Sequence, residues 1–216
     1  MTAIDPKRTL ENMRGEDLRA VVFDLGGVLI EYRGAAKLLD WRPDLTHEES
    51  WRLWLSSPAV RAFETGRLGA SEFAASLTAE LRLTVSPADF LVEFTGWVVG
   101  PYAGTADLVR RIPSHITRAT LSNISEVHWR RFESENDLYR LFHHHFPSHL
   151  TGKIKPDVEA FEHAASALGC EPGSILFLDD QPINVRAAEK AGITAVCVQG
   201  PREAERVLLE LGIIDP

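Results

Sequence analysis

One feature constrains this chain more than any other: short β-rich apolar runs, each closing on polar residues, alternate with stretches of helical periodicity. Parallel strands need a long crossover between neighbours, and crossover helices cover the sheet, so the alternation predicts an α/β fold with a parallel sheet between helical layers. Val21-Val22-Phe23 is the first run. Ala119-Thr120-Leu121, Ile175-Leu176-Phe177-Leu178 and Thr194-Ala195-Val196-Cys197-Val198 follow, with a weaker one around Phe146. About five strands is ordinary for such a sheet. Helix ends carry their own signals: Thr105 reads as the cap of a helix with Leu108 and Ile112 on its inner face. Asp157 reads as the cap of another that carries Val158, Phe161, Ala165 and Leu168 and stops before Gly169.

Residues 34–100 break the alternation. They hold only helical patterns, with Trp51, Trp54 and Leu55 in one and Phe73, Leu77 and Leu81 in another behind a cap at Ser71. The expected organisation is an N-terminal extension (1–19), an α/β core built from 20–32 and 101–216, and a helical cap (33–100) inserted after the first strand. Trp51 and Trp54, at helical spacing, read as anchors of the cap's own core rather than as a stacking platform. The run His143-His144-His145 reads as an exposed edge, because adjacent side chains diverge on any regular element.

Charge and hydropathy narrow the partners. Lys and Arg total 23 against 31 Asp and Glu, a formal charge of −8, so the field repels polyanions and nucleic acid is not an expected partner. The longest apolar stretch, Ala20 to Ile30, is interrupted by Asp24 and is too short to span a bilayer. Residues 1–19 are charged throughout, with no apolar segment of a secretory signal. These observations predict a cytoplasmic protein without a membrane partner, with Cys170 and Cys197 as reduced core thiols. They leave the oligomeric state open, and a monomer is compatible with them.

Four strand ends carry chemistry. Asp24 closes the first run and precedes Gly26-Gly27, which puts a carboxylate at the carboxyl end of a strand, where α/β sites form. Leu121-Ser122-Asn123 ends a strand on two small hydrogen-bonding residues, and Lys155-Pro156-Asp157 places a lysine just before a helix. Asp179-Asp180 follow the run Ile175 to Leu178. Each has an ordinary alternative: a turn aspartate, a loop ahead of a cap at Ser125, a surface lysine, an acid pair favoured by a helix dipole. The acid pair is the least comfortable. Two like charges about 4 Å apart cost on the order of 4 kcal/mol at an effective dielectric of 20 unless a cation or proton relieves them, and Mg²⁺ suits such oxygens.

In order and spacing these four motifs resemble the haloacid dehalogenase superfamily of hydrolases, over residues 21–200. Phe63-Glu64-Thr65-Gly66 with Glu72-Phe73 looks like the small helical cap of its phosphatase branch. Phe23-Asp24-Leu25-Gly26-Gly27-Val28, and Phe177-Leu178-Asp179-Asp180 with Asn184, look closest to bacterial sugar-phosphate phosphatases of the α-glucose-1-phosphate type. The resemblance implies a Rossmann-like core and attack by Asp24 on the phosphorus of a small phosphate monoester, giving an aspartyl-phosphate that water hydrolyses. It further implies Mg²⁺ held by Asp24, Asp180, the Gly26 carbonyl and, through water, Asp179. Phosphate would be held by Ser122 and Lys155, with Asn123 assisting and Lys155 also orienting Asp24. Glu64, Thr65 and Gly66 would form a loop that selects the leaving group.

The chain departs from the family's phosphatases at one position: Gly26 stands where they carry a second aspartate for proton transfer. Two alternatives follow. One is a metal-independent 2-haloacid dehalogenase, whose relatives also lack that residue. The other is a catalytically silent phosphate-binding module.

Overall fold

The computed structural model describes residues 17–135 and 137–215, so residues 1–16 of the expected N-terminal extension lie outside the described residues. The main sheet has five parallel strands in the order β5-β4-β1-β6-β7, formed by β1 (Ala20–Phe23), β4 (Thr117–Ser122), β5 (His144–Pro147), β6 (Ile175–Asp179) and β7 (Thr194–Cys197). The central strand β1 is buried on both faces, and its side chains divide with the strand period of two. Val21 and Phe23 join a cluster with Leu108, Val109, Phe132 and Val207, while Ala20 and Val22 join one with Phe161, Ala164, Val185 and Ala188. Leu176 and Leu178 of β6 side with the first cluster, Ile175 and Phe177 with the second. This is the Rossmann-like α/β architecture that the alternation predicts.

Two short strands stand apart. β2 (Ile30–Tyr32) and β3 (Val98–Pro101) pair antiparallel, Ile30 opposite Pro101 and Glu31 opposite Gly100. The helical segment lies between them: a 3₁₀ stretch (Gly34–Asp40), then α1 (His47–Ser56), α2 (Pro58–Glu64), α3 (Ala70–Glu80) and α4 (Pro87–Thr95). It encloses an aromatic core of its own, in which Phe63 stacks on Phe73 at 4.1 Å between ring centres and Trp54 meets Trp97 at 5.3 Å. Trp54 is thus a core anchor, and Trp41 and Trp51 pack against it half-buried. The sequence reading made 34–100 helical throughout, whereas Val98 to Gly100 are strand: a piece this short shows its partner only in three dimensions.

Crossovers complete the layers: α5 (Thr105–Arg111) precedes β4, α6 (Glu126–Glu135) precedes β5, α7 (Ser148–Thr151) and α8 (Val158–Leu168) precede β6, α9 (Pro182–Lys190) precedes β7, and α10 (Gly200–Glu210) follows it. Several hydroxyl and thiol assignments change. Thr105 is not a cap: α5 starts after Gly104, and the Thr105 hydroxyl donates to the Leu29 carbonyl. Ser71 lies inside α3, whose first turn is closed by Glu72 accepting from the Gly69 N–H. Asp157 does precede α8, but its carboxylate pairs with Arg61 of α2. Cys170 is half-buried and Cys197 exposed, both free, so neither is a core thiol. His144 and His145 lie on β5, an edge strand, and His143 and His144 are exposed. Among the described residues no helix is long and apolar enough to cross a membrane.

Candidate active site

The site grows from strand register. β1 and β6 pair Phe23 with Leu178, so Asp24 and Asp179 leave adjacent strands side by side, and the Asp24 N–H donates to the Leu178 carbonyl at 2.8 Å. Asp180 follows at once, and Asp24, Asp179 and Asp180 each offer a carboxylate oxygen within 4.8 Å of the others. Into this cluster reaches Lys155, 97% buried, with Nζ 3.0 Å from Asp24 Oδ1 and 2.6 Å from Asp179 Oδ2. Its ammonium also lies 5.3 Å from the centre of the Phe177 ring, a cation–π contact on its apolar side.

The acids differ in what they have left to give. Asp179 is fully buried and saturated: Oδ1 accepts from the Gln181 N–H at 2.8 Å and Asn184 Nδ2 at 3.0 Å, and Oδ2 from Lys155 and Asn184. Asp180 is half-buried and accepts from Gln181 Nε2 at 2.8 Å. Burial pushes the Asp24 carboxyl up to about 7, with Lys155 opposing and Asp179 and Asp180 adding to the rise. Burial and Asp179 also raise Asp180. Burial alone would depress Lys155, but Asp179 and Asp24 outweigh it and hold the ammonium above the ordinary lysine range. One ammonium thus faces three carboxylates, and these oxygens have the hardness and grouping that a divalent cation such as Mg²⁺ takes.

Two adjacent glycines do different work. Gly27 has φ +74°, and a β-carbon there would lie 2.5 Å from Asp180 Oδ2, so the acid pair closes on this turn only over a bare backbone. Gly26 carries no such demand, since a β-carbon would find Tyr32 Cβ at an ordinary 3.6 Å. Nothing in backbone conformation excludes a second aspartate at Gly26.

The other expected residues divide. Ser122, the last residue of β4, is buried opposite Pro147. Asn123, read from sequence as a phosphate donor, clamps the lysine loop: Oδ1 accepts the Lys155 N–H and Nδ2 donates to the Lys155 carbonyl, both at 2.8 Å. The Thr65 hydroxyl closes α2 by donating to the Arg61 carbonyl. Gly66, at φ +70°, packs where a β-carbon would overlap the His149 carbonyl oxygen. Glu64 is half-buried, and burial pushes its carboxyl up to about 7, with Lys155 opposing the rise and Asp24 adding to it. Sequence reasoning missed Tyr32, whose ring stands beside Gly26 and which feels the Glu64 charge, and it gave Gln181 no role. Neither residue sits in a pattern of its own.

The model of haloacid dehalogenase-like hydrolases matches residues 18–192. The chain belongs to this family. Phosphatase MT3486 of Mycobacterium tuberculosis is 30% identical over 84% of this chain and 87% of its own. Among solved structures, the haloacid dehalogenase family enzyme bt-2542 of Bacteroides thetaiotaomicron, in complex with magnesium and inorganic phosphate, superposes with a TM-score of 0.68. It is 21% identical and covers 84% of this chain and 94% of that one. The L-2-haloacid dehalogenase of Xanthobacter autotrophicus gives 0.60 at 20% identity, over 84% and 77% of the two chains. At these identities the two structural likenesses carry the fold alone.

Proposed function

We propose that the chain is a Mg²⁺-dependent phosphatase that hydrolyses a small phosphate monoester through an aspartyl-phosphate on Asp24. The observation that carries this reading is the gathering of Asp24, Asp179 and Asp180 within 4.8 Å around a single buried ammonium. A haloacid dehalogenase without metal would bring a carboxylate substrate to a site already short of positive charge, at the desolvation cost of an unpaired buried ion. A metal-bound phosphatase neutralises the same cluster. The phosphatase similarity of the Mycobacterium relative points the same way.

Asp24 and Asp180 would hold the ion directly, with the Gly26 carbonyl, while Asp179, saturated by four bonds, fits the water-mediated position. The ion supplies charge stabilisation of the transferring phosphoryl group. Lys155 holds Asp24 in place and, with the Ser122 hydroxyl, binds phosphate oxygens. Asn123 fixes the lysine loop. Asp24 attacks phosphorus, the ester oxygen leaves, and water then cleaves the acyl phosphate. The segment 33–100 acts as the cap that closes over the site and chooses the leaving group, and the β2–β3 pair is its stem. A sugar phosphate is the substrate class that the resemblance in residues 23–28 and 177–184 favours.

The test is phosphate release from sugar phosphates, nucleotides and acyl phosphates with Mg²⁺ or with chelator, beside halide release from a 2-haloacid. Mg²⁺-dependent phosphate release supports the reading. Halide release that persists in chelator overturns it in favour of the dehalogenase, and phosphate binding without turnover overturns it in favour of a silent binding module.

A further inference from the structure

The three acids of the site are held from different sides. Asp179 is saturated by four bonds, and Asp24 Oδ1 accepts the Leu25 N–H at 2.7 Å and faces the Lys155 ammonium at 3.0 Å. The Asp180 carboxylate is held by Gln181, whose Nε2 donates to Oδ2 at 2.8 Å. That same oxygen is the one that leaves no room for a β-carbon on Gly27. Oδ2 is thus confined between an amide donor and the bare backbone of the nucleophile's turn.

Gln181 touches both members of the acid pair through different atoms. Its backbone N–H donates to Asp179 Oδ1 at 2.8 Å, while its side chain is committed to Asp180. The residue directly precedes α9, where a polar side chain would serve as a helix cap, yet it makes no cap bond. The helix begins on Pro182, which has no N–H to satisfy. The main chain of the acid pair is anchored separately. The Asp180 carbonyl accepts from Gln199 Nε2 at 3.2 Å and from the Cys197 thiol at 3.5 Å, and the Val198 N–H donates to the Asp179 carbonyl at 3.0 Å. Residues 197–199 therefore fix where Asp180 stands, and Gln181 fixes how its carboxylate is turned.

We propose that Gln181 is a positioning residue for the divalent cation, holding the Asp180 carboxylate turned toward Asp24 before the ion arrives; the proposal rests on Asp24 and Asp180 being the groups that take Mg²⁺. Adjacent carboxylates repel, and a half-buried Asp180 without this bond would turn away from Asp179 toward solvent. Each incoming ion would then have to order that side chain against the repulsion before coordinating it. An ionised carboxylate offers about four lone-pair directions, so one amide bond leaves it capacity for a cation. The amide is also neutral. A lysine or arginine in its place would orient Asp180 equally well but would add a positive charge that repels the ion.

The test is calorimetric titration of Mg²⁺ into the metal-free full chain without substrate, beside phosphate release at increasing Mg²⁺. Gln181→Met keeps the length of the side chain and removes the donor, and it should lose roughly 10-fold to 100-fold in Mg²⁺ affinity. The Mg²⁺ concentration that half-saturates phosphate release should rise by the same factor, and saturating Mg²⁺ should recover most of the rate. Gln181→Ala, which asks nothing of the packing, should show the same loss if Gln181→Met folds poorly. In an Asp180→Asn background the Gln181→Met change should cost nothing further, because the group it orients is already altered. Wild-type Mg²⁺ affinity in both Gln181 variants, or an equal loss in the Asp180→Asn background, overturns the proposal. A parent protein that takes up no Mg²⁺, or an Asp180→Asn variant that binds it as tightly as the parent, overturns the underlying metal reading instead, and no Gln181 variant is needed to see it.

Discussion

Asp180 reaches so far over the turn after β1 that Gly27 has no room for a β-carbon: the atom would sit 2.5 Å from Oδ2 and 2.7 Å from Cγ. Gly27→Ala must therefore push Asp180 aside, and its left-handed backbone adds about 1–2 kcal/mol of strain. Gly26→Ala meets only Tyr32 Cβ at 3.6 Å and should stay within about 0.5 kcal/mol of the parent. Mg²⁺ titration and denaturant unfolding of the two variants check this: Gly27→Ala should lose both metal affinity and stability, Gly26→Ala little of either.

The contrast shows what sequence made legible. The strand-end acids could be read because an apolar run that stops on Asp24 or on Asp179-Asp180 fixes where the carboxylates emerge, whatever the rest of the chain does. The glycine pair could be seen, but not that one glycine answers to Asp180 and the other to nothing. Glu64 could be named, but its half-buried place, where Lys155 and Asp24 both act on its carboxyl, comes from packing that no local pattern shows. Thr105 and Ser71 misled because each lies inside its helix, one and two residues past the capping positions Gly104 and Gly69, where a hydroxyl no longer caps the first turn. Asn123 was placed correctly at a strand end, but its partner is the backbone of Lys155.

Lys155 is the one cation that the described residues bring into contact with Asp24 and Asp179. Lys155→Met keeps much of the side-chain volume but leaves two buried carboxylates facing each other, which should cost about 3–5 kcal/mol in chelator. Mg²⁺ should recover part of that stability while turnover stays lost. Urea unfolding with and without Mg²⁺, beside a phosphate-release assay, reads both effects. A variant as stable as the parent in chelator would show that the ammonium does not neutralise the cluster.

His128 links α6 to the helical segment. Its Nε2 lies 2.6 Å from the Phe94 carbonyl, its ring 4.2 Å from that of Phe94, and burial pushes it from 6.5 down to about 4. The unfolded chain takes up a proton near 6.5 that the folded protein refuses until about 4, so stability is whole above the first value and falls as pH drops between the two. The shift corresponds to about 3 kcal/mol at most. Unfolding free energies measured across that range should show the slope in the parent protein, and His128→Gln should flatten it.

The central claim is covalent attack by Asp24, and the most direct measurement is an acid quench of enzyme mixed with a ³²P-labelled phosphate monoester and Mg²⁺, followed by peptide mapping. Label should appear as an acyl phosphate on the peptide that contains Asp24, decay at the rate of phosphate release, and be missing together with turnover in Asp24→Asn. Label on another residue, or full turnover by Asp24→Asn, would contradict the account.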